Sequence, residues 1–242
     1  MTTSLAGKTA IITGAGTGIG AATAEELGRL GARIVLVGRR RAVIEETAAR
    51  IAATGVDTRA LPADVRDYAD VERVVVGTVE TFGRVDIFVA NAAIADFGPV
   101  DEADPALLRD VIMTNVMGVL HGARAVLPEM YRQGGGHIVI VASGSGRTTY
   151  VGEPAYVASK HAIVAFADCL RMETAPRGVR VSVIEPGLVE TPLIHVYPGA
   201  DALVEGVVPL EPVDVARAIV FALEQPAHCN VFEIALRPTT QI

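Results

Sequence analysis

Residues 8–40 read KTAIITGAGTGIGAATAEELGRLGARIVLVGRR. The stretch opens on a short apolar run, turns through Gly14, Gly16, Gly18 and Gly20, continues with the spacing of a helix, breaks at Gly31 and closes on a second apolar run, Ala32–Val37. Strand, glycine turn, helix, glycine and strand make a βαβ unit, the building block of a parallel sheet.

The pattern repeats outward from there. TRALPADV (58–65) reads as a strand, ADVERVVVGTVETFG (69–83) as a helix and VDIFVANAA (85–93) as a strand, and a long helix is predicted over about 104–133. HIVIVAS (137–143), a helix over about 154–175, RVSVIEPG (180–187), a helix over about 212–224 and NVFEIAL (230–236) complete the chain. Seven strands alternating with helices predict an α/β chain that is one domain over 1–242, a doubly wound (Rossmann) parallel sheet with helices on both faces. Residues 188–211 are the exception, with three prolines and little periodicity after a strand's carboxyl end. A substrate lid is expected there.

Half of the residues are apolar and mean hydropathy is +0.40. The longest uninterrupted apolar runs, such as IVLVG (34–38), are far shorter than the about 20 residues that cross a bilayer. Buried parallel strands, apolar on both faces, explain them, and no membrane partner is expected. MTTSLAGKTA at the start has no basic stretch leading into an apolar core, so the expected location is cytoplasmic. A net charge of −7 argues against a nucleic-acid partner. Cys169 and Cys229 provide no disulfide framework, and the five histidines are scattered without a ligand spacing, so no metal is expected.

The turn at 13–20 follows a strand and opens a helix. That context makes Gly14, Gly16, Thr17, Gly18 and Ile19 candidates to receive a dinucleotide pyrophosphate at the positive helix end. The acidic residue that binds a ribose 2′-hydroxyl about 20 residues further on is replaced by Gly38, with Arg39 and Arg40 following. A guanidinium suits a 2′-phosphate, so NADP(H) is expected rather than NAD(H).

Of 21 basic residues only Lys8 and Lys160 are lysines. Tyr156 and Lys160, four apart in a helical stretch, share one face. Ser143 ends the preceding apolar strand, where ligands bind in open α/β sheets, and Asn115 lies within the long helix. TGxxxGIG at 13–20, Asp64-Val65, Asn115, Ser143 thirteen residues before Tyr156, the Tyr-x-x-x-Lys pair and Pro186-Gly187 together resemble the short-chain dehydrogenase/reductase family over essentially the whole chain. The resemblance implies hydride transfer between a nicotinamide and a ketone or secondary alcohol. Tyr156 would be the acid/base, Ser143 would hydrogen-bond the substrate oxygen, Lys160 would donate to the ribose hydroxyls, and Asn115 would hold a relay water. It adds Asp64, Val65, Asn91, Ala92, Ala93, Pro186, Gly187, Val189 and Thr191 to the cofactor-binding set, along with Tyr156 and Lys160. Assembly as a homotetramer is also implied.

Two departures from the family pattern stand out. Its Asn-Asn-Ala-Gly segment reads Ala90-Asn91-Ala92-Ala93, and Thr17 occupies the place of a basic residue found in many NADP-using members. The candidates for the substrate pocket, Ser143, Ser145, Thr149, Tyr150, Tyr156, Leu188, Leu193 and Tyr197, are mostly apolar or aromatic apart from hydroxyls, with Arg147 the one nearby anchor for an anion. A neutral ketone or alcohol of modest size is the expected substrate. The alternatives are an NAD-dependent alcohol dehydrogenase in which Arg39 stacks on adenine, and a non-catalytic dinucleotide sensor, for which Asn115, Ser143, Tyr156 and Lys160 together would be superfluous.

Overall fold

The computed structural model describes residues 5–196 and 206–241. β1 (Thr9–Thr13), α1 (Gly18–Arg29) and β2 (Arg33–Gly38) form the crossover expected of the opening segment, followed by α2 (Arg41–Ala52), β3 (Thr58–Pro62), α3 (Tyr68–Phe82) and β4 (Ile87–Ala90). Next comes a rod of α4 (Pro105–Ile112), a π-helical turn (Met113–Met117) and α5 (Gly118–Arg132). β5 (Gly136–Val141), a 3-10 turn (Gly144–Gly146), α6 (Pro154–Thr174), β6 (Val179–Pro186), α7 (Pro212–Leu223) and β7 (Glu233–Leu236) complete the order.

The seven strands run β3-β2-β1-β4-β5-β6-β7, each pair parallel. The strand order reverses between β1 and β4, so a crevice opens outside their carboxyl ends. All five residues of β1 are buried, as a strand covered on both faces requires. Alternation along it feeds two cores. Ile11 joins Val74, Val126 and Ile163 of α3, α5 and α6, while Ala10 and Ile12 join Leu27, Ile44 and Ile219 of α1, α2 and α7. Each of the buried Ile, Leu and Val side chains contributes about 1.5–3 kcal/mol by leaving water.

Three differences from the sequence expectations have physical reasons. The long helix contains the π turn, whose extra residue rotates Asn115 relative to α5. The rod Pro105–Arg132, 28 residues, is long and apolar enough by composition to cross a membrane, which a search for uninterrupted runs overlooks; half of its most apolar window is buried inside the protein, as in a core helix. β7 begins three residues late: ahead of it Asn230 Nδ2 donates to Val181 O and Ser182 Oγ donates to Val231 O, side-chain bonds in place of a backbone ladder.

Candidate active site

Thr13 ends β1 and ties it to the end of β4. Its Oγ1 accepts from Asn91 N (3.0 Å) and Ala92 N (3.1 Å) and donates to Val89 O, while Asn91 Nδ2 donates to Thr13 O at 2.9 Å. Gly14 sits at φ +66°, and a Cβ on Gly20 would lie 2.4 Å from Gly14 O, so the turn and the start of α1 can approach only as glycines. Asp67 and Asp104 cap α3 and α4 through Ala69 N and Ala106 N. Thr17 caps α1 without a side-chain bond, and no acid occupies the first turn. The leading N–H groups of α1 therefore face the crevice with their partial positive charge uncompensated by side chains. Among the described residues no non-glycine has positive φ, so Ala93 takes an ordinary conformation and the family's glycine is dispensable there.

Arg39 and Arg40 are exposed and line the cleft beyond Gly38. Arg41 is committed to Glu45 at 3.1 Å, whereas among the described residues the Arg39 and Arg40 guanidinium groups have no ion pair. Asp64 is gripped by Arg66, with Nη2–Oδ2 2.6 Å, and Arg66 also reaches Asp110 at 2.9 Å. Bonding to Arg66 holds the Asp64 carboxyl below its usual range, so it faces the cleft as an anion.

At the other end, Ser143 caps the 3-10 turn, its Oγ accepting from Ser145 N at 3.1 Å. α6 brings Tyr156 beside it. Burial pushes the phenol up to about 12; a hydrogen bond with Ser143 opposes the rise and the Glu153 charge adds to it. Lys160, 3% exposed, donates from Nζ to Val141 O at 3.0 Å, and burial brings its ammonium down to about 8. Glu153 is half-buried, accepts from Ser145 Oγ at 3.3 Å and is raised by burial.

Asn115 does not line the cleft. Its Nδ2 donates to Ile94 O (2.8 Å) and Ser159 Oγ (3.0 Å), and its Oδ1 accepts from Ile94 N (2.9 Å). Both amide protons are used, so the side chain clamps the segment after β4 to α6, and the expected water-holding role does not fall to the amide N–H groups. The same π turn brings Thr114 to the cleft wall, 6% exposed, its Oγ1 without a partner among the described residues.

One cleft of about 550 Å³ joins the two ends, a size that suits a ligand of this class. Gly14, Gly16, Thr17, Gly18, Ile19, Asp64, Val65, Asn91, Ala92 and Ala93 line it, as do Ser143, Ser145, Tyr150, Tyr156, Lys160, Pro186, Gly187, Leu188, Val189, Thr191 and Leu193. Tyr197 lies outside the described residues. Thr149 is exposed and away from the cleft. His195 bonds Glu190 at 2.6 Å on the surface. Arg147 is no anchor: its guanidinium pairs with Glu185 (2.8 Å) and with Glu233. Overlooked in the sequence are Arg237 and Gln241 on the C-terminal tail, which line the cleft. Free helix N–H donors, two unpaired guanidinium groups and a buried lysine, strung along one cleft, fit a phosphorylated dinucleotide.

Comparison with known proteins agrees with this geometry. The model of the short chain dehydrogenase family matches residues 8–198. The chain is 36% identical over 239 residues to the glycine betaine reductase ATRR of Emericella nidulans; the match covers 97% of this chain but only 19% of that much longer protein. An uncharacterized oxidoreductase of Staphylococcus saprophyticus is 38% identical, with 96% of this chain and 97% of that one covered. Among solved structures, an alcohol dehydrogenase from the archaeon Thermococcus sibiricus complexed with 5-hydroxy-NADP superposes with TM-score 0.89 at 30% identity, covering 97% of this chain and 98% of that one. A metagenomic short-chain oxidoreductase in complex with NADP gives TM-score 0.86 at 30% identity, covering 99% and 100%. The chain belongs to the short-chain dehydrogenase/reductase family, and it is an oxidoreductase of that family.

Proposed function

We propose that the protein is an NADP(H)-dependent oxidoreductase acting on a ketone or secondary alcohol, with Tyr156 as acid/base. The observation that carries this reading is the single cleft with Ser143, Tyr156 and Lys160 at one end and the glycine turn with Arg39 and Arg40 at the other. A nicotinamide held in this cleft would supply the hydride acceptor or donor and, when oxidised, a positive charge. Tyr156 gives its proton to the oxygen that becomes an alkoxide, and Ser143 holds that oxygen by a hydrogen bond that strengthens as charge develops. The protein alone leaves Tyr156 a weak acid, so its activation rests on cationic charge added at the site together with the Lys160 ammonium. Asn115 keeps the post-β4 wall and α6 in register.

Arg39 and Arg40 support the preference for a 2′-phosphate, as do the NADP-type ligands of the two structural neighbours. Residues 188–211 are proposed to cover the substrate; Glu190 N donates to Leu210 O and Leu210 N to Leu188 O at their two stems, and 197–205 between them lie outside the described residues. A tetrameric assembly is proposed on the family likeness. Arg237 weakens the reason for expecting a neutral substrate, which was that the pocket candidates offered no anchor for an anion beyond Arg147. The test is initial-rate oxidation of NADPH and NADH with a panel of ketones, aldehydes and keto acids. Turnover favouring NADPH is expected, and saturable cofactor binding with no turnover on any of them counts against catalysis.

A further inference from the structure

β7 runs parallel to β6 and so returns the chain to the carboxyl edge of the sheet, beside Ser143 and Gly187. Gly187 N donates to Leu236 O at 2.8 Å, and the tail then crosses the substrate end of the cleft. The Arg237 guanidinium lies over Gly144, the neighbour of Ser143. A Cβ on Gly144 would stand 2.7 Å from Arg237 Nη2, and one on Gly187 would stand 2.7 Å from Arg237 Cδ and 2.3 Å from Gln241 Oε1. Two glycines thus admit these side chains into the wall.

The donors of Arg237 are only partly used. Nη1 donates to Glu185 O (2.7 Å) and Leu236 O (3.1 Å), while among the described residues Nε and Nη2 have no partner and no carboxylate pairs with the group. The contrast with Arg147 is direct, since that guanidinium is neutralised by Glu185 and Glu233. Gln241 accepts from Leu188 N at 3.0 Å through Oε1, leaving its Nε2 protons free of described partners. Glu153, the carboxylate beside Ser145 and Tyr156, does not line the cleft. Among the described residues, the substrate end therefore presents a fixed cation and an amide donor with no anion to answer them.

We propose that Arg237, assisted by Gln241, binds a carboxylate on the substrate, so that the alcohol oxidised or carbonyl reduced next to Ser143 and Tyr156 belongs to a small hydroxy or keto acid. This rests on the oxidoreductase reading above and specifies its substrate class. The carboxylate accepts from Arg237 Nε and Nη2 as a forked pair, while Nη1 stays bonded to the backbone and fixes the plane of the fork.

The test compares 2- and 3-hydroxybutanoate, each against its methyl ester, as substrates with NADP+ in the parent protein, Arg237→Gln and Arg237→Lys. For the preferred acid, the acid-to-ester ratio of kcat/KM should fall about 10- to 100-fold in Arg237→Gln, carried mainly by KM, and recover in part in Arg237→Lys. Equal losses for acid and ester would mean that Arg237 only fastens the tail. A rise in the KM for NADP+ with an unchanged ratio would assign the guanidinium to the cofactor; both results overturn the proposal. Calorimetric titration of butanoate into the NADP+-loaded protein runs beside the kinetics. If no alcohol is oxidised but butanoate binds and Arg237→Gln abolishes binding, the anion site stands while the proposed reaction fails. No butanoate binding together with no acid preference rejects the site.

Discussion

Lys160 Nζ stands 5.5 Å from the centre of the Tyr156 ring and donates to Val141 O at 3.0 Å. The lysine is held by the backbone of β5 and presented to the phenol from within the protein, with 3% of its surface exposed. A slim ammonium on a flexible stem suits a buried niche between a strand and a helix better than a planar, rigid guanidinium fork does.

That niche costs stability. The unfolded lysine titrates near about 10.4, and burial lowers the folded value to about 8, so at pH 7 both states are charged and the folded one carries the desolvation penalty. Between about 8 and 10.4 the unfolded chain binds more protons, so this penalty is relieved as pH rises through that window. Lys160→Met should therefore raise the melting temperature at pH 7 by about 3–6 °C, after allowing for the lost bond to Val141, while turnover falls by at least about 100-fold. A lower melting temperature in thermal denaturation would show that the buried ammonium is fully compensated.

Tyr156→Phe removes one oxygen and leaves the ring that packs near Phe97, with centroids 6.2 Å apart. Turnover should drop about 10²- to 10⁴-fold, the range for a positioned acid/base, with NADPH affinity changed less than about threefold. Initial rates paired with fluorescence titration of NADPH measure both. Turnover close to the parent's would transfer the acid/base role elsewhere.

Much of this site is legible in the sequence because its signals are local. The glycine turn declares itself by its place between Thr13 and the first turn of α1, and Tyr156 and Lys160 by a four-residue spacing that only a helix makes meaningful. What the sequence conceals depends on partners far away in the chain. Whether Arg147 or Arg237 is the free cation is decided by Glu185 and Glu233, brought together by the parallel pairing of β6 and β7. The clamp formed by Asn115 needs the π turn, which adds one residue to a helical stretch whose apolar periodicity barely registers it. Ala93 looks like a loss against the family's glycine until the backbone shows that no positive φ is needed.

His137, second in β5, is 2% exposed, its Nε2 2.8 Å from Ser182 Oγ and its Nδ1 without a partner among the described residues. Burial, with a further push from Arg180, lowers it to about 3, so the folded protein keeps it neutral. Its unfolded value is near about 6.5, and between the two the unfolded chain takes up a proton that the folded one refuses. Stability from this residue is complete above about pH 6.5 and is lost as pH falls, by about 2 kcal/mol at pH 5. Urea denaturation of the parent should show unfolding coupled to uptake of about one proton between pH 4.5 and 6 from this group, a component missing in His137→Gln. An identical slope in the variant would place the acid sensitivity elsewhere.

Cofactor choice turns on the end of β2. Gly38 provides no carboxylate, and Arg39 and Arg40 stand at the cleft while Arg41 is tied to Glu45. Arg39→Asp exchanges a cation that can fork onto a 2′-phosphate for an anion that repels it and accepts from a 2′-hydroxyl. The ratio of kcat/KM for NADPH over NADH should fall at least about 100-fold, most of it through the KM for NADPH, and high salt should narrow the parent's preference because both groups are exposed. Arg40→Ala should lower the ratio by less, about threefold to tenfold, since Arg40 caps α2 through its backbone and only its side chain is free to reach the phosphate. If Arg39→Asp leaves the ratio where it was while Arg40→Ala lowers it, the phosphate sits on the second guanidinium. If neither moves it, the preference for NADP(H) itself is wrong, and the alcohol dehydrogenase that uses NAD(H) becomes the better reading.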